Sequence, residues 1–220
     1  MTAPRVAVLD YGIGNLRSAQ KTLERAGADP VLTRDPDEVA AAAGVVLPGV
    51  GAFGRVMEAI RETGVDEIAH AAVAAGTPFI GICVGMQALY ESSEENPGVE
   101  GLGILPGTIR RLTSTETRIK VPQMQWNRLD LHGESPLFAN LPEEPWVYFV
   151  HSYAPEATED VIATCEYGGT VTAAAARGNV MATQFHPEKS GRVGVQIITN
   201  FVELCRDPAC SERPERSGKQ

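Results

Sequence analysis

Gly81-Ile82-Cys83-Val84-Gly85-Met86-Gln87 is the stretch whose reading decides how this chain folds. The apolar run Thr77 to Ile82 before it reads as a buried strand, and Met86-Gln87-Ala88-Leu89-Tyr90-Glu91 after it reads as helix. A cysteine between two glycines at a strand-to-helix junction has the layout of a nucleophile elbow. The small flanking residues let the chain turn sharply and expose the side chain at the carboxyl end of a sheet. The thiol then lies at a helix N-terminus, where partial positive charge favours the thiolate, the attacking species. The competing reading is a buried structural cysteine, the usual fate of a free thiol. Cys165, inside the apolar run Val161 to Tyr167, reads that way.

On the N-terminal side, strands and helices alternate. Arg5 to Asp10 is a first strand, almost continuously apolar, as strands buried on both faces are. Gly12 to Asn15 turns the chain, and Leu16, Ala19, Leu23 and Ala26 then recur at helical spacing until Gly27. Pro30 to Thr33 is a second strand, Asp37 to Ala43 a short helix, and Gly44 to Leu47 a third strand leading into Pro48-Gly49-Val50-Gly51. A helical region from Phe53 to Ala75, broken at Gly64, completes the approach to the elbow. This alternation predicts a parallel sheet with helices on both faces and ligands at the carboxyl ends of its strands. Gly12-Ile13-Gly14 lacks the third glycine of a dinucleotide fingerprint and reads as a tight turn.

On the C-terminal side the strands shorten: Gly101 to Leu112, Arg128 to Leu131, Trp146 to Tyr153, Val161 to Tyr167, Thr170 to Ala176 and Val180 to Phe185. Arg177-Gly178-Asn179 joins the last two as a hairpin turn. This half is expected to extend the same sheet with antiparallel strands. Gly191 to Leu204 is a closing amphipathic helix with Val195, Ile198, Phe201 and Val202 on its apolar face. One domain over residues 1–205 is expected, followed by a polar, disordered tail at 206–220.

Bulk properties exclude some functions. The 220 residues carry a net charge of −9, which argues against a nucleic-acid or anionic-membrane surface. The four cysteines form no C-x-x-C pair, so a reducing cytoplasm fits better than a disulfide framework. The apolar run after the N-terminus is too short for a signal peptide or a membrane span. No metal cluster is expected, because His151 and His186 lack a Cys or acidic companion at ligand spacing.

A cysteine nucleophile needs a base, and the base needs an orienting group. Of four histidines, His70 reads as a surface helix residue and His132 as a loop residue, whereas His151 and His186 both follow apolar strands. Pro187 biases His186 towards extended backbone, and residues two apart in an extended segment project to one side. His186 and Glu188 are thus placed together; a strand ending in two solvated polar residues is the plain alternative. An oxyanion hole would take one donor from the backbone N–H of Val84 and a second from a neighbouring strand end. Pro48-Gly49-Val50-Gly51 is the natural supplier, through Val50, because its glycines permit close approach.

Gly81-x-Cys83-x-Gly85-x-Gln87 with the distant His186-Pro187-Glu188 resembles the class I glutamine amidotransferase family, over nearly the whole chain. The resemblance implies a flavodoxin-like three-layer α/β fold, with a mixed central sheet parallel in its N-terminal half and extended by antiparallel strands. It implies that Cys83 attacks the side-chain amide of glutamine. His186 would protonate the departing ammonia and then activate water on the thioester, with Glu188 holding His186. Gly51, Gln87, Glu95, Ser152 and Tyr153 would hold the glutamine, with no cofactor.

Asp10 to Ser18 and Lys120 to Asn127 further resemble the branch of the family that serves imidazole glycerol phosphate synthase as its glutaminase subunit. Pro48 to Phe53, Phe149 to Tyr153 and His186 to Ser190 fit that branch too. The resemblance implies a cytoplasmic heterodimer with a (β/α)8 cyclase subunit in histidine biosynthesis. This chain would supply the hydrolase step. The partner would use the ammonia in a lyase step that forms imidazole glycerol phosphate and aminoimidazole carboxamide ribonucleotide. Asn15, Lys120, Pro122, Met124, Trp126, Asn127 and Lys189 would face the partner. The branch reads His-Met-Gly-Trp-Asn after Lys-Val-Pro; here Gln123 and Gln125 replace the His and the Gly. A family glycine of positive φ at position 125 would burden Gln125 with backbone strain. Other amidotransferase subunits, such as those of anthranilate synthase or pyridoxal phosphate synthase, share the triad but not the Asp10 to Ser18 segment. A thiol-sensing module on the same fold would need Cys83 but no working His–Glu pair.

Overall fold

The computed structural model describes residues 2–113 and 119–207. The first half is β1 (Arg5–Leu9), α1 (Leu16–Arg25), β2 (Asp29–Thr33), α2 (Pro36–Ala40), β3 (Gly44–Gly49), α3 (Phe53–Glu62), α4 (Val65–Ala74) and β4 (Phe79–Cys83). β1, β3 and β4 bury almost every side chain on both faces. That is why their sequences are continuously apolar rather than alternating. α3 and α4 part at Gly64, whose φ of +71° is left-handed, so the expected break is where the helical region divides.

The second half is α5 (Val84–Ala88), β5 (Ser92–Ser93), β6 (Thr108–Arg111), β7 (Gln123–Arg128), β8 (Asp130–Leu131), β9 (Trp146–His151), β10 (Tyr153–Pro155), β11 (Val161–Glu166), β12 (Thr170–Arg177), β13 (Val180–Thr183) and α6 (Gly191–Arg206). The main sheet has eight strands in the order β2-β1-β3-β4-β13-β12-β11-β8. β1 to β4 pair in parallel, and β12, β11 and β8 continue antiparallel, as expected.

Three details differ from the sequence reading. β13 pairs in parallel with β4, so the hairpin to β12, not the strand itself, changes the direction of the sheet. β9 leaves the main sheet and forms a ribbon with β7. β6 and β10 form a small sheet with β5. In β9 burial alternates along Trp146-Val147-Tyr148-Phe149-Val150-His151, a one-faced pattern hidden by apolar residues on both faces. The last helix runs two residues past its expected end at Leu204, one residue into the expected tail, and Arg206 donates to the Gly27 carbonyl at 3.1 Å. The rest of the expected tail, 208–220, lies outside the described residues. No helix among the described residues is long and apolar enough to cross a membrane.

Candidate active site

β4 delivers Cys83 into a strained backbone, φ 57° and ψ −114°. A non-glycine residue there costs about 1–3 kcal/mol and persists only where surrounding packing dictates it. The packing is visible at Gly85: a Cβ there would lie 1.9 Å from the Leu47 carbonyl oxygen. Backbone thus meets backbone between β3 and the elbow. Gly85→Ala should destabilise the fold by about 1–3 kcal/mol, because neither neighbour is a side chain that can swing aside. Urea unfolding checks this, and a midpoint within error of wild type would contradict it. The helix after the elbow is shorter than its sequence suggested, spanning only Val84–Ala88. A helix of 5 residues supplies no long macrodipole to the thiol.

β13 delivers His186 across the β4 pairing. The His186 N–H donates to the Tyr148 carbonyl at 3.0 Å, and Ser190 Oγ donates to the His186 carbonyl at 2.6 Å. His186 itself is extended, as Pro187 requires, with φ −100° and ψ 97°. The expected extended projection of Glu188 is not what joins the pair, however. Pro187–Lys189 is a 3₁₀ turn, and it folds Glu188 back so that Oε1 lies 2.7 Å from His186 Nδ1. Both side chains are nearly buried, at 2% and 5% exposure. Burial pulls the His186 ring down, but Cys83 and Glu188 outweigh it and raise the ring from 6.5 to about 9. His186 Nε2 is buried without a hydrogen-bond partner of its own, which leaves it available to Cys83 and to a substrate.

Cys83 and His186 open on one cavity of about 350 Å³. Val50, Val84, Gly51, Gln87, Glu95, Ser152 and Tyr153, all singled out in the sequence, line it. Glu95 has one oxygen occupied by the Phe53 N–H at 2.8 Å, capping α3 from a distance. Gln87 is 3% exposed, and its amide nitrogen donates to the Tyr153 carbonyl and to Gln184 Oε1, each at 3.0 Å. Gln87 therefore braces the wall of the cavity.

The segment expected to face a partner is divided. Met124 and Trp126 are exposed, at 59% and 48%. Lys120 is exposed, and its carbonyl accepts from the Tyr167 hydroxyl at 2.6 Å. Asn127 donates to the Glu166 carbonyl at 2.8 Å. Pro122 and Lys189 line the Cys83 cavity, and Asn15 lines a small cleft with Val50, His186 and Glu188. Gln125 lies in regular strand, and the only non-glycine residues of positive φ among the described residues are Cys83 and Asn140. The feared backbone strain at Gln125 is therefore not present.

Gln123 turns inward and is fully buried. It contacts His151, the other histidine the sequence left in play as a base. His151 Nδ1 lies 2.9 Å from the Tyr153 carbonyl, and burial is the main force holding the ring down to about 4. His151 is therefore neutral at neutral pH, with its one proton on Nδ1. Gln123 Oε1 sits 3.0 Å from His151 Nε2, and Gln123 Nε2 sits 3.8 Å from Cys165 Sγ. A neutral ring that donates from Nδ1 offers only a lone pair at Nε2. Burial keeps the Cys165 thiol protonated, pushing it up to about 11. Hydrogen bonding thus favours this amide turned end for end. His151 is locked in that network and is no rival to His186.

Two residues at the site carry no chemical signal in the sequence. Tyr11 is buried, and its hydroxyl donates to the Pro48 carbonyl at 2.6 Å, behind the strand end that carries Val50. Burial, and then Cys83, push its phenol well above the usual range. Gln184, fully buried, reaches Cys83 itself. Both sit in or beside apolar strands, where one polar residue reads as incidental.

The family model described as glutamine amidotransferase class-I matches residues 7–204. Curated relatives include the "Imidazole glycerol phosphate synthase subunit HisH" of Thermosynechococcus vestitus, 50% identical over 94% of this chain and 100% of the relative. The proteins of the same name from Methanosarcina mazei and Geobacillus thermodenitrificans are 46% and 48% identical. They align over 91% and 90% of this chain, and over 99% and 95% of their own lengths. Among solved structures, PurLQS from Thermotoga maritima aligns with a TM-score of 0.72 at 21% identity, covering 92% of this chain and 99% of that one. A structure titled as a glutamine amidotransferase aligns at 0.70 and 21% identity, over 91% and 98%. At that identity the structural likeness speaks for the fold.

Proposed function

We propose, from the premise that the chain belongs to the class-I glutamine amidotransferase family, that Cys83, His186 and Glu188 carry out its glutamine hydrolysis. Within the family it is the glutaminase subunit of an imidazole glycerol phosphate synthase, in histidine biosynthesis. The observation that carries the residue assignment is the convergence on one cavity of a strained elbow cysteine and a histidine held by a carboxylate. The Cys83 thiolate attacks the carboxamide carbon of glutamine, forming a C–S bond and a tetrahedral oxyanion. Backbone N–H groups of Val84 and Val50 receive that oxyanion. His186 gives its proton to the leaving nitrogen, ammonia departs, and a thioester remains. Water then attacks the thioester, His186 takes its proton, glutamate leaves and the thiolate is restored. Gly51, Gln87, Glu95, Ser152 and Tyr153 surround the glutamine.

The partner in this reading is the synthase's cyclase subunit, a (β/α)8 barrel forming a cytoplasmic heterodimer with this single-domain chain. The β7–β9 ribbon supports it: Met124 and Trp126 stand exposed on β7, and Trp146 is 49% exposed on β9. In this reading Asn15, Lys120, Pro122, Asn127 and Lys189 also face the partner; Pro122 and Lys189 line the Cys83 cavity, and Asn15 lines the cleft beside it. Glycines flank Val50, so the Gly49–Val50 peptide is free to turn its N–H away from Cys83 until the partner docks. Losing one such donor costs about 10²–10³ in rate. Glutamine hydrolysis should therefore be slow for the chain alone and rise by about that factor with the cyclase subunit and its acceptor nucleotide bound. Steady-state ammonia release under the three conditions tests this; full activity in the chain alone would remove the switch.

A further inference from the structure

We propose that Gln184 is a positioning residue for the nucleophile, donating a hydrogen bond to the Cys83 sulfur, and that the Tyr153 backbone carbonyl sets the direction of that bond. The proposal rests on the reading of Cys83 as nucleophile. Gln184 is fully buried at the end of β13, two residues before His186. Its backbone N–H is bound to the Ala173 carbonyl at 2.8 Å, which holds the residue in register beside the elbow. Its side chain spans two partners: Gln87 Nε2 at 3.0 Å and Cys83 Sγ at 3.8 Å.

An amide turned end for end would present oxygen to the sulfur instead and repel the thiolate. A backbone group excludes that arrangement. The Tyr153 carbonyl can only accept, so the end of Gln87 that lies 3.0 Å from it is the NH₂. The same NH₂ faces Gln184, which must answer with its oxygen. The Gln184 nitrogen is then left for Cys83. One carbonyl thus determines the polarity of two buried amides in series, and the series ends on the reacting atom. An N–H aimed at sulfur stabilises the thiolate over the thiol and orients it against His186. A glutamine buried at this position only to fill space would leave its amide unsatisfied. Here each end has a partner.

The test is the pH profile of alkylation of Cys83 by iodoacetamide in the full-length chain, read at that residue by mass spectrometry so that the other thiols do not count. Gln184→Met preserves volume and removes the donor. Its Cys83 profile should move to higher pH by about one unit, giving roughly tenfold slower alkylation at pH 7. The kcat for glutamine should fall by a similar factor, and KM should change far less. A merely structural role would lower the melting temperature and leave the profile in place; a folded Gln184→Met chain with the wild-type profile overturns the proposal. Should that variant not fold, the wild-type chain decides. The side-chain amide proton signal of Gln184 should move with the same midpoint as Cys83 alkylation, and a signal indifferent to that midpoint also overturns the proposal. Retention of glutamine hydrolysis by Cys83→Ala would instead defeat the nucleophile reading on which this one stands.

Discussion

Cys83→Ala is expected to lower glutamine hydrolysis by about 10⁴–10⁶-fold, the scale on which loss of a covalent nucleophile is felt, while the fold and partner binding persist. The synthase reaction should survive when free ammonia replaces glutamine, because only ammonia generation is lost. The backbone strain at Cys83 belongs to φ 57° rather than to sulfur. Cys83→Gly should therefore be inactive too, yet more stable than Cys83→Ala by about 0.5–1 kcal/mol. The same substitution reports on His186. Its ring is raised to about 9 against the pull of burial, by Cys83 and then by Glu188. A ring held charged by the fold contributes stability in full below its ordinary 6.5 and loses it as pH rises through about 9. Cys83→Ala should weaken that alkaline loss, measurable as a smaller difference between urea midpoints taken on either side of pH 9. Measurable glutamine-dependent turnover in Cys83→Ala, or an unchanged alkaline slope, would each count against the assignment.

His186→Ala is the second large effect. The ring handles the proton in both halves of the reaction, so its loss should cost about 10²–10⁴-fold in kcat. Glu188→Gln should cost less. It retains an oxygen that can face Nδ1 across the 2.7 Å contact and gives up only the charge that favours the imidazolium. Because Nδ1–H must be kept for that contact, the wrong tautomer is not forced on the ring, and the loss should appear mainly as a downward shift of the His186 titration. Single-turnover thioester formation separates the two variants. Equal, small losses in both would mean that the buried His186–Glu188 pair holds the 3₁₀ turn in place and takes no part in proton transfer.

Much of this site was legible because its chemistry lies in local sequence. The glycines around Cys83 and the Pro after His186 act on their own backbone, so their consequences could be written down from spacing. The continuous apolar runs of β1, β3 and β4 likewise announce burial on both faces, and with it a parallel sheet. β9 was misplaced for a related reason: Trp146 and Tyr148 make both faces apolar in composition, and only packing shows that one face is covered.

By itself, then, the sequence determined the parallel core, the elbow, the candidate nucleophile and the short segment that brings a histidine and a carboxylate together. Tertiary structure alone separates the surroundings of the two candidate bases, His151 and His186. Both follow apolar strands, and the difference is that burial holds one ring neutral between a carbonyl and an amide while the other meets a carboxylate and a thiol. It alone turned Gln123 inward, away from the surface its neighbours Met124 and Trp126 occupy. It alone brought Gln184 to Cys83 and Tyr11 to Pro48. These contacts join residues 101 and 37 positions apart; hydrogen-bond direction depends on which atoms meet, and that is settled only when the strands are paired.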